Sequence, residues 1–185
     1  MTNKEIYMAQ FRALIDKLKD ADDWSAHLPE AIAFFSKHKP FVVLESPFAA
    51  DTEESVQRNV DYARAACHDA LVNHGEIPFA SHIKYTQPGI LDDTIPWERA
   101  LGISAGLAEG LLATRTVLYV DRGVSSGMLK GIEAALKAGR TVVLRSLPGW
   151  QGSSDDLSSQ TRLAIVQHKI AQQLGISPAQ LVLEF

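Results

Sequence analysis

Cysteine is almost missing from this chain: Cys67 is the single one among 185 residues. That excludes an intramolecular disulfide framework and a cysteine-built zinc cage. Cys67 falls on the apolar stripe of a predicted helix, where a buried structural thiol and a reactive one are the two readings. No apolar run approaches the roughly 20 residues that cross a bilayer, so no membrane partner is expected. Residues 1–10 lack the basic-then-apolar layout of a secretory leader, and the expected location is cytoplasmic. An excess of positive charge is also absent: 18 Lys and Arg against 22 Asp and Glu leave a net charge of −4. With no global basic field, no nucleic-acid partner is expected, although a local cationic site for a small anion remains open. The six histidines show no His-x-x-x-His spacing, so no metal site and no cofactor are expected. Tandem repeats and low-complexity tracts are lacking too.

What is present is apolar content of 46%, enough for one domain with a substantial core. Residues 4–19 place Ile6, Phe11, Leu14, Ile15 and Leu18 near helical spacing. Residues 26–38 give a second helix that Pro40 ends. The stretch 1–39 therefore reads as a helical extension. From residue 41 the pattern changes to short apolar runs at 41–44, 77–80, 116–120 and 141–145, alternating with helices at 53–73, 97–113 and 127–138. Residues 81–96 read as a loop between them. This alternation predicts an α/β domain over 40–147, a flavodoxin-like or Rossmann-like doubly wound parallel sheet of four to five strands. The stretch 148–185 reads as a polar linker (148–156), a helix (157–174) and a tail, packed on the same domain. The ending at 180–185 is either an edge strand or a docked tail.

Ligands of open parallel sheets bind beyond the carboxyl ends of the strands, where the winding direction switches. Three segments are expected to meet there: Glu45, Ser46, Pro47 and Phe48; Ser81, His82 and Tyr85; and residues 121–128. The last runs from an acid at a strand end, Asp121, through Ser125, Ser126, Gly127 and Met128 into a helix. Free N–H groups at such a helix start suit phosphate, carboxylate or sugar oxygens. The serines are equally well placed as N-caps. The spacing is neither a P-loop nor Gly-x-Gly-x-x-Gly, so no nucleotide class follows from it.

Four carboxylates are the catalytic candidates. Glu45, just past a strand, is placed for partial desolvation and a raised pKa. Asp92 and Asp93, near Glu98 and Arg99, suit proton transfer to a leaving base or simple helix capping. Asp121 either bonds a ligand hydroxyl or caps the turn at Gly123. On the predicted helix 97–113, Gly102, Gly106 and Gly110 share one face. Each costs about 1 kcal/mol of helix propensity, so another backbone is expected to approach, either the domain's own or a second subunit's.

The ordered set of Glu45 to Phe48, Pro78 to His82, Tyr85 to Gln87, Leu91 to Asp93, Glu98-Arg99 with Gly102-Ile103, and Ser125 with Gly127-Met128 and Gly131-Ile132 resembles a phage and bacterial domain family related to the nucleoside 2-deoxyribosyltransferases. The resemblance covers about residues 41–147. It implies a flavodoxin-like sheet, a nucleoside or nucleotide ligand, and N-glycosidic cleavage or base exchange. The alternative it leaves is a non-catalytic binder that sequesters a nucleotide-derived ligand, such as a phage anti-defence protein. It also implies a homo-oligomer, which agrees with the Gly102, Gly106 and Gly110 face. The superfamily's glutamate nucleophile lies on the helix after the strand at 116–120, and the matching position here is Gly131. Glu133 is two residues on, about 200° around the helix, and is expected to face away.

Overall fold

The computed structural model describes residues 1–147, 149–150 and 158–185. Five strands form one parallel sheet: β1 (Phe41–Glu45), β2 (Ile77–Phe79), β3 (Arg115–Tyr119), β4 (Thr141–Arg145) and β5 (Leu181–Glu184). The spatial order is β2-β1-β3-β4-β5, that of flavodoxin-like sheets, with the winding switch between β1 and β3. The fold is therefore the α/β open sheet expected from the strand–helix alternation. The tail at 180–185 resolves as its edge strand, β5 alongside β4.

The helices are α1 (Asn3–Asp20), α2 (Leu28–His38), α3 (Glu53–His74), α4 (Ser81–Lys84), α5 (Pro96–Gly110), α6 (Ser126–Lys137) and α7 (Ser159–Leu174). The stretch expected to be a loop opens with α4, a single turn too short to show a hydrophobic period. The helix expected over 97–113 ends at Gly110. The linker expected at 148–156 lies outside the described residues apart from Gly149 and Trp150.

Two cores form because central strands with apolar residues on both sides need cover on both faces. On one side α3 lays Tyr62, Ala66 and Ala70 against Val42, Leu44, Val117 and Val143. On the other, α6 and α7 lay Met128, Ile132, Leu163 and Ile170 against Leu118, Val142, Leu144 and Leu181. The extension α1–α2 closes an aromatic cluster of Tyr7, Phe11, Phe34 and Phe35. It docks where α3 ends, with the Tyr7 hydroxyl donating to the Gly75 carbonyl at 2.6 Å. Gly75 has φ +66°, and a Cβ there would come within 2.9 Å of the Phe11 ring. Only glycine serves both the left-handed helix end and the close approach of α1.

A buried ionic network ties these parts together. Arg145 and Glu76 are 2% and 1% exposed. An Arg145 Nη1 donates to Glu76 Oε2 at 2.8 Å, and Arg145 also pairs with Glu184. Arg115 bridges the same two carboxylates, and Lys4 of α1 reaches Glu184 at 2.8 Å. Burial opposes ionisation of Glu184, but hydrogen bonds from Arg145 and Lys4 outweigh it and hold the carboxyl down at about 2. Removing one partner of such a network leaves uncompensated buried charge. Glu76→Gln is expected to cost about 3–5 kcal/mol in chemical denaturation. Loss of the exposed Lys17–Glu30 pair, in Lys17→Ala, is expected to cost under about 1 kcal/mol.

Candidate functional site

A cavity of about 520 Å³ opens at the switch point, between α5 and α6 on the sheet face that carries Val43 and Glu45. That volume is in the ordinary range for small-molecule sites. The three segments expected to converge do so. Glu45, Ser46 and Phe48 enter from the end of β1; Ser81, His82 and Tyr85 from α4; Ser125, Ser126, Gly127 and Met128 from the start of α6.

Glu45 is the last residue of β1 and its side chain alternates to the face opposite the Val42 and Leu44 core. Among the described residues no donor is recorded for its carboxylate. Burial therefore raises its pKa to about 7, against a smaller lowering by the positive charge of Arg140. Its Oε1 would lie 2.6 Å from a Cβ built at Gly131. The carboxylate thus lies against bare backbone of α6, in space that a side chain at 131 would claim.

Beside it, Ser46 Oγ and His82 Nε2 are 2.8 Å apart. Burial pushes the His82 imidazole down to about 4, so the ring is neutral at pH 7 and the pair carries hydrogen bonds without net charge. The Phe48 ring meets His82 edge-on, with centroids 6.4 Å apart. Ser125 caps α6, its Oγ accepting from the Met128 N–H at 3.3 Å. Among the described residues no hydrogen bond is recorded for the exposed Ser126 hydroxyl.

Several expected site residues lie elsewhere. Asp121 does not line the cavity. Its carboxylate accepts from the Tyr62 hydroxyl at 2.6 Å, from the Leu147 N–H at 2.7 Å and from Ser146. It ties the end of β3 to the chain after β4. Asp92 also lies outside, and its Oδ1 accepts from the N–H and hydroxyl of Thr94. Pro47 is buried and does not line the cavity. Asp93 remains at the rim, paired with Arg99. Glu133 is exposed and outside the cavity, as its helical angle requires.

The glycine face of α5 turns toward the chain's own segments. A Cβ at Gly106 would sit 2.6 Å from Ser81 Cβ and Oγ, one at Gly102 would sit 3.2 Å from Leu91, and one at Gly110 would sit 3.4 Å from Val43. The close approach expected there is met within the chain, by Ser81, Leu91 and Val43. Opposite them, Trp97, Leu101 and Leu111 are exposed.

The sequence reading missed Arg140, which lines the cavity from the far end of the sheet. It lies just before β4, where a search confined to strand carboxyl ends does not look. Lys130, exposed on α6, and Leu107 of α5 also line the space. Among the described residues no group of three or more His, Cys, Asp or Glu side chains is placed to hold a metal ion. Among them, too, no helix is long and apolar enough to cross a membrane.

Fold and site together define an open parallel α/β sheet with a ligand-sized cavity at its winding switch. The chain belongs to the family described as a domain of unknown function, DUF7768, whose profile matches residues 40–145. No curated protein and no solved structure shows a significant match to it.

Two measurements check this geometry. Glu45 holds its proton to about pH 7 in the folded chain, against an ordinary 4.5. Its burial therefore costs stability progressively as pH rises between those limits. Glu45→Gln is expected to match the native chain near pH 4 and to exceed it by about 1–3 kcal/mol at pH 8. Denaturation curves at both pH values read this directly. Gly106→Ala is expected to lose about 1–3 kcal/mol through overpacking against Ser81, with no change of mass in solution. Altered mass at unchanged stability would return this face to a role between subunits.

Proposed function

We propose that the cavity acts on a nucleoside or nucleotide, by cleavage or exchange of its N-glycosidic bond, with Glu45 as the reacting carboxylate. The observation that carries this reading is the contact at Gly131. In the superfamily that the motifs resemble, the nucleophilic glutamate stands on the helix at this position. Here the side chain is absent from the helix and a carboxylate from β1 fills its space, 2.6 Å from where the Cβ would lie. An acid delivered from the opposite wall reaches the same reacting atom.

In this reading a carboxylate oxygen of Glu45 attacks the anomeric carbon of the sugar and forms a C–O bond. The C–N bond breaks, and its electron pair leaves on the base nitrogen, which takes a proton from water. Water or a second base then attacks the same carbon. The C–O bond to Glu45 breaks, the carboxylate is regenerated, and the incoming group loses its proton to solvent. An unpaired carboxylate in a poorly solvated site also stabilises the positive charge that develops on the sugar. Ser126, Gly127 and the N–H groups at the start of α6 are suited to a phosphate or sugar oxygen. The neutral Ser46–His82 pair is suited to sugar hydroxyls. Asp93, ion-paired with Arg99, contributes charge at the rim and is not the proton donor. Asp92 and Asp121 drop out of the mechanism because neither lines the cavity.

Incubation with a panel of nucleosides and nucleotides, followed by chromatography, is expected to yield free base. Glu45→Gln is expected to reduce that yield at least about 100-fold. Because the ionised carboxylate attacks, kcat/KM is expected to rise as pH passes upward through about 7. A rate that falls over that interval would recast Glu45 as a general acid. Tight binding with the ligand recovered intact would replace the enzyme by the sequestering protein, the role open to a phage anti-defence factor.

A further inference from the structure

We propose that Arg140 selects the base, favouring a 6-oxopurine such as guanine or hypoxanthine over adenine; this rests on the nucleotide reading above. The argument begins with levels along the sheet. Glu45 pairs with Leu118, and Val43 pairs with Thr116. Arg140 Nε donates to Thr116 Oγ1 at 3.3 Å. The guanidinium therefore lies about 6–7 Å below Glu45 along the strands. The start of α6 lies on the other side: from Ser126 to Gly131, which Glu45 touches, is five residues, or about 7.5 Å of helix. Glu45 thus stands between an anion-suited helix start and a cation. A nucleotide with its phosphate at α6 and its anomeric carbon at Glu45 directs its base toward Arg140.

The walls on that side suit a flat heterocycle: Val43 and Phe79 on the sheet, Leu107 on α5 and Ala134 on α6. Arg140 is held in place there but is not saturated. Its Nη1 donates to the Gly110 carbonyl at 3.0 Å. A Cβ at Gly110 would lie at ordinary contact distance from its two terminal nitrogens, 3.7 and 3.8 Å, so the end of α5 packs directly on the guanidinium. Of its five N–H groups, two are engaged, and among the described residues no acceptor is recorded for Nη2. A guanidinium only donates. It therefore matches an edge with two acceptors, the O6 and N7 of guanine or hypoxanthine. Adenine places an amino donor where O6 would be, setting donor against donor. The same positive charge steadies the electron pair left on a departing oxopurine, so Arg140 favours cleavage as well as binding.

Calorimetric titration of the Glu45→Gln protein with GMP, IMP and AMP tests the proposal without turnover. GMP and IMP are expected to bind about ten-fold more tightly than AMP. Adding Arg140→Met is expected to erase that ratio. Adding Arg140→Lys, which keeps the charge but not the fork, is expected to weaken the ratio while circular dichroism stays native. The Lys variant carries the test if the Met variant does not fold. Equal affinities, a preference for AMP, or a ratio unchanged by the Lys variant would overturn the selection by Arg140. Release of base by the native chain would meanwhile leave the glycosidic reading standing. Binding of none of the three at millimolar concentration would overturn both.

Discussion

The site rests on one contact, the Glu45 carboxylate against the bare backbone of Gly131. A carboxylate with no recorded donor is costly to bury, and the rise of its pKa to about 7 is the measure of that cost. Nothing in the packing requires it: β1 alternates inward and outward, and an apolar residue at position 45 would fill the space beneath α6 at less expense. Positions where a local rule is broken without structural gain are where function is expected. The glycine opposite leaves the acid where it is, because a Cβ at 131 would come within 2.6 Å of Oε1 and displace it.

The chain handles its other buried charges differently. On the α3 side of the sheet, Arg145 and Arg115 pair with Glu76 and Glu184, and Lys4 extends the network to the N-terminal extension. Asp121, at the mouth side of β3, is likewise satisfied, by a tyrosine, a serine and a backbone N–H. Against that background the isolation of Glu45 and the spare N–H groups of Arg140 stand out. Both face the same cavity, and both are held on framework rather than on loops, Glu45 by β1 and Arg140 by bonds to β3 and the end of α5. A carboxylate and a guanidinium fixed this way lose little on binding a ligand.

Much of the architecture was legible from the chain alone. Short valine-rich runs alternating with helical stripes required a parallel sheet, and the capping residue Ser125 marked a helix start where the structure has it. The convergence of Glu45, Ser81–His82 and Ser125–Met128 followed from one rule, that ligands sit beyond strand ends at a winding switch. That rule also explains the failures. Asp121 sits at a strand end, but its side chain turns to the opposite face, toward Tyr62. Asp92 and Asp93 are neighbours, yet one is taken by Thr94 and only the other reaches the rim. Arg140 was invisible because it enters from the amino end of a strand.

The sequence by itself determined the periods, the caps, the sheet class and the list of candidate acids, because these depend on neighbours a few residues apart. It also placed a glycine at 131, on the face of the helix that follows β3. Only the tertiary structure decided which acid fills that space, which face the α5 glycines meet and which cation looks into the cavity. Those outcomes depend on strand order and on the parity of single residues, and a shift of one position along a strand turns a side chain from one core to the other.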